Sequence, residues 1–112
     1  MKFTRPHQRQ DWIRFQLSKL AAARIRENPE IVNIGLQHIR RWMENGTREN
    51  FCAKARSEWA ELIQHHSPQE IADLLEAEGD EAQRLRSSMP FIQPPFFTER
   101  ERIDVIERAY AI

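Results

Sequence analysis

Six side chains around a predicted turn near the middle of the chain are the residues best suited to contacting a nucleic acid. Apolar spacing predicts a helix on each side of Asn45-Gly46-Thr47, so residues 37–56 resemble a helix-turn-helix unit. In such a unit these side chains would face phosphates and base edges: Arg40, Arg41, Arg48, Asn50, Lys54 and Arg56. An ordinary helical hairpin with solvated charges explains the same pattern, because Glu44, Glu49 and Glu58 dilute the positive charge. DNA binding is therefore the alternative function.

Metal-ligand and catalytic patterns are absent from the sequence. Adjacent residues such as His65 and His66 point about 100° apart on a helix, which prevents joint ligation, and His38 lies on an apolar stripe, as core histidines do. No HExxH or CxxC spacing, glycine-rich phosphate loop or nucleophile elbow occurs. Carboxylates lie at salt-bridge spacings, such as Glu58 with Lys54. We therefore predict a protein that is not an enzyme and has no catalytic residue, metal site, cofactor or small-molecule substrate.

A segment rich in proline and phenylalanine, residues 87–97, is the most distinctive part of the chain. Its prolines exclude helix and regular sheet and predict an extended loop. One hypothesis is a preformed strap that binds a protein partner or a second copy, through Phe91, Pro94, Pro95, Phe96 and Phe97. The other is that the rings fold back and close a core too small to seal itself. The sequence leaves both open.

Length and composition predict one small domain over residues 1–112, with residues 1–7 flexible. Of the 112 residues, 40% are hydrophobic and 30% are charged, and three tryptophans and six phenylalanines supply a modest core. No apolar run reaches the ~18 residues of a membrane span, and the N-terminus lacks a secretory pattern. Cys52 is the single cysteine, so no internal disulfide can form, which suits a reducing compartment. A cytoplasmic location with no membrane association is therefore expected.

The net charge of zero conceals two oppositely charged halves. Residues 1–56 carry 12 basic and 5 acidic side chains, and residues 57–112 carry 5 basic and 12 acidic ones. This asymmetry either steers an anionic partner to one end or binds the two halves to each other.

Apart from the proline-rich segment, the sequence pattern predicts helices along the chain. We therefore expect an all-α domain of five or six helices, with the proline loop before the last one. Capping signals at Ser67-Pro68-Gln69-Glu70 and at Thr98-Glu99-Arg100-Glu101 start two of them, and Asn28 is expected to cap another. Gly35 lies in the middle of an apolar stripe, which is typical of a site where another backbone comes close. The predicted ranges are about 8–27, 29–45, 47–65, a short helix after residue 67, 80–86, and one from residue 98.

Most of the chain from residue 28 onward resembles small, largely uncharacterised bacterial all-helical proteins, some of them encoded beside toxin-like genes, as antitoxins are. The matching features are Asn28-Pro29, Arg41-Trp42, Trp59, residues 84–91 and residues 98–102. Residues 92–97 depart from the pattern, where a shorter, glycine-containing connection is usual. The resemblance implies a bacterial interaction protein that, like an antitoxin, binds a protein partner.

Overall fold

Helices account for all the regular secondary structure in the described part of the chain. The computed structural model describes the backbone of residues 6–44 and 50–111, and the side chains of residues 7–44 and 54–111. The α-helices, in order, are α1 (Pro6–Glu27), α2 (Val32–Glu44), α3 (Asn50–His65), α4 (Pro68–Glu76), α5 (Asp80–Arg86) and α6 (Glu99–Ala111), with a 3₁₀ turn at Pro29–Ile31. The radius of gyration is 14.1 Å, close to the roughly 13 Å of a compact domain of this length. The predicted all-α class is confirmed.

Helix α1 is the central element, and it packs mainly against α4 and also against α5 and α6. Small side chains at its buried positions let the helices approach closely, because Ser18, Ala21 and Ala22 are fully buried. The Ser18 hydroxyl lies 2.8 Å from the main-chain carbonyl oxygen of Leu75 on α4. This hydrogen bond satisfies a polar atom that would otherwise be buried at a cost.

Both predicted capping boxes are present. At α4 the Ser67 hydroxyl accepts the Glu70 amide hydrogen, and the Glu70 carboxylate accepts that of Ser67. At α6 Thr98 and Glu101 make the same reciprocal pair. Each box satisfies two amide groups that have no partner within the helix.

Three local predictions differ from the structure. Asn28 makes no side-chain capping bond, and Pro29 begins a 3₁₀ turn rather than an α-helix. Helix α1 begins at Pro6 rather than at about residue 8, because proline suits the first turn of a helix. The predicted turn at residues 45–47 lies outside the described residues, as do residues 1–5.

Candidate interaction surface

The strap, defined as residues 87–97, runs across the molecule between α5 and α6 and buries all three of its phenylalanines. Phe91 and Phe96 are 0% exposed, and Phe97 is 2% exposed. The expectation that these rings face a partner is therefore wrong. They complete the main hydrophobic core together with residues of α1, α3 and α4, because a chain this polar has few other large apolar side chains to fill it.

Gly35 on α2 makes room for the first of these rings. A Cβ atom at this position would lie 2.4 Å from Cε1 and 2.8 Å from Cδ1 of Phe91. The close neighbour is thus a side chain, and the expectation that another backbone approaches Gly35 is wrong. The ring also packs edge-on against Trp59 of α3, with centroids 5.6 Å apart, and against Phe96 at 4.9 Å.

Two buried hydrogen bonds hold the main chain, one at Pro90 within the strap and one at Leu85 just before it. The Nδ1 atom of His38 lies 3.2 Å from the carbonyl oxygen of Pro90, which fits an Nδ1–H donor, and the Trp59 indole N–H donates to the carbonyl oxygen of Leu85 at 2.9 Å. The His38 ring also lies between Trp42 and Phe96. The prediction of a hydrogen-bonded core histidine is confirmed.

Residues 92–95 in the strap are exposed, although residues 89–91 before them and 96–97 after them are buried. Ile92 is 44% exposed, and Gln93, Pro94 and Pro95 are exposed as well. A turn closes this segment, since the Phe96 amide donates to the Gln93 carbonyl oxygen at 3.0 Å, and the Pro94–Pro95 peptide bond is cis. Of the five residues predicted to bind a partner, only the two prolines remain accessible.

The predicted nucleic-acid residues are only partly within the described structure. Arg40 and Arg41 on α2 and Lys54 on α3 are exposed, whereas the guanidinium of Arg56 stacks over the Trp42 ring at 5.0 Å and joins α3 to α2. The remaining two predicted contacts fall outside the description, since Arg48 and the side chain of Asn50 are not covered.

The opposite charges of the two halves pair partly within the molecule. Arg24 of α1 bonds to Glu101 of α6 at 2.8 Å. Arg26 of α1 bonds to Asp73 at 2.6 Å and also to Glu76, both on α4. Arg24 and Arg26 of α1 are thus paired with acidic side chains of the C-terminal half, whereas Arg40, Arg41 and Lys54 on α2 and α3 remain exposed.

Glu58 pairs with a different partner from the one its spacing predicts. The side chain of Arg84 on α5 donates two hydrogen bonds to the Glu58 carboxylate, at 2.9 and 2.8 Å. These bonds are the main reason that the pKa of Glu58 lies below its ordinary value, and Lys54 lowers the pKa further by its charge alone. Tertiary packing of α5 on α3 thus replaces the predicted pair along one helix.

Arg86 is a buried charge that the sequence analysis did not single out. Its guanidinium donates to the Ala77 carbonyl oxygen at the end of α4, at 2.6 Å, and lies 4.2 Å from the centre of the Phe15 ring. Burial lowers the pKa of Arg86, with Asp11 and Glu78 opposing the shift. The cation sits where the negative end of α4 favours it, so its role is structural.

The described residues contain no group of three or more histidine, cysteine or acidic side chains placed to hold a metal ion. Cys52 has no described side chain. Within the same ranges, no helix combines the length and apolar character needed to cross a membrane. The surface features left to explain are therefore the exposed edge of the strap, the cations of α2 and α3, and the grooves between helices.

Comparisons with known proteins add no relative: no family model, curated protein or solved structure matches the chain.

Proposed function

We propose that the protein is a non-enzymatic interaction protein that binds a protein partner through the exposed edge of the strap, residues 92–95. The observation that carries this proposal is that three of the four residues of the edge are apolar and all four are exposed, while fully buried rings, Phe91 and Phe96, anchor it on both sides. A segment already held in place loses little conformational entropy when it binds. The resemblance to small bacterial helical proteins makes the product of a neighbouring gene the first partner to test, in an antitoxin-like role.

The test uses Ile92→Ser, which removes the largest exposed apolar side chain of the edge. Affinity for the purified neighbouring gene product, measured by calorimetry, should fall by about tenfold, since a central contact residue contributes more than ~1 kcal/mol. The melting temperature should stay unchanged, because Ile92 is 44% exposed. Tyr110→Ser is the matched control, as Tyr110 is also exposed but lies on α6. Wild-type affinity in Ile92→Ser, or no binding by the wild-type protein, would contradict the proposal.

The second candidate function is DNA binding, favoured by the cations left on α2. In the described part of the chain, Arg40 and Arg41 are exposed and form no ion pair. If the protein binds DNA through the predicted basic residues, the logarithm of the binding constant should fall with the logarithm of the salt concentration at a slope of roughly −3 to −5. Replacing both arginines by alanine should reduce that slope by about 2, whereas Arg100→Ala on α6 should not change it. If the wild-type protein does not shift any DNA duplex at low salt, the DNA-binding hypothesis is wrong.

A further inference from the structure

We draw no further inference here: the strongest candidate, the apolar groove of about 470 Å³ between α3, α4 and α5, carries none, because nothing in the described part of the chain shows what covers it.

Discussion

The contact between Gly35 and Phe91 gives the most specific stability prediction. Gly35→Ala would place a Cβ atom 2.4 Å from Cε1 of Phe91. Carbon atoms in contact normally lie about 3.5–4.0 Å apart, so the ring would have to move by about 1 Å. It has little room to do so, because Phe91 is fully buried with Trp59 and Phe96 packed against it.

The size of the effect is the difference between two opposing terms. Alanine is favoured over glycine inside a helix by about 1 kcal/mol. Overpacking a filled core costs about 1–3 kcal/mol, with the upper end expected where neighbours cannot move. We therefore expect Gly35→Ala to lower the free energy of unfolding by about 1–2 kcal/mol, which corresponds to a fall in Tm of roughly 4–8 °C.

Circular dichroism melts and urea unfolding measure this change. Gln37→Ala is the matched control on the same helix, and its Tm should stay close to the wild type because Gln37 is exposed. In a Phe91→Leu background the same Gly35→Ala change should cost less, with a coupling of about 1 kcal/mol. A rise in Tm for Gly35→Ala in the wild-type background would show that the ring does not lie against this glycine.

Two further predictions concern the core and the helix caps. Changing Phe96 and Phe97 together to serine should unfold the domain, because each buried ring contributes on the order of 3 kcal/mol or more; a cooperative melt near the wild-type Tm would contradict their burial. The Thr98 amide and Arg24 lower the pKa of Glu101 in the folded protein from its ordinary value of 4.5. The ionised carboxylate therefore stabilises the fold fully above pH 4.5, and this stabilisation is lost as the pH falls through the pKa that Glu101 has in the folded state. Glu101→Gln should therefore flatten the loss of stability on the acid side of pH 4.5, and an unchanged acid profile in this variant would refute that role.

The sequence was sufficient wherever the relevant interaction is local. Helix class follows from apolar residues repeating every three or four positions, and the capping boxes at Ser67 and Thr98 follow from residues three apart. The absence of strand patterns was likewise predictable, since it too is a property of short segments. In each case the chain segment that makes the contact also carries the signal for it.

The tertiary structure decided what depends on residues far apart in the chain. The burial of Phe91 uses the space beside Gly35, which lies 56 positions earlier in the chain. Arg84 lies 26 residues from Glu58 and displaces the local Lys54 partner. The apolar groove between α3, α4 and α5 has no sequence signature, because three helices must first pack together to create it. Composition fixed the amount of apolar surface and charge available, and only packing determined which of them remained exposed.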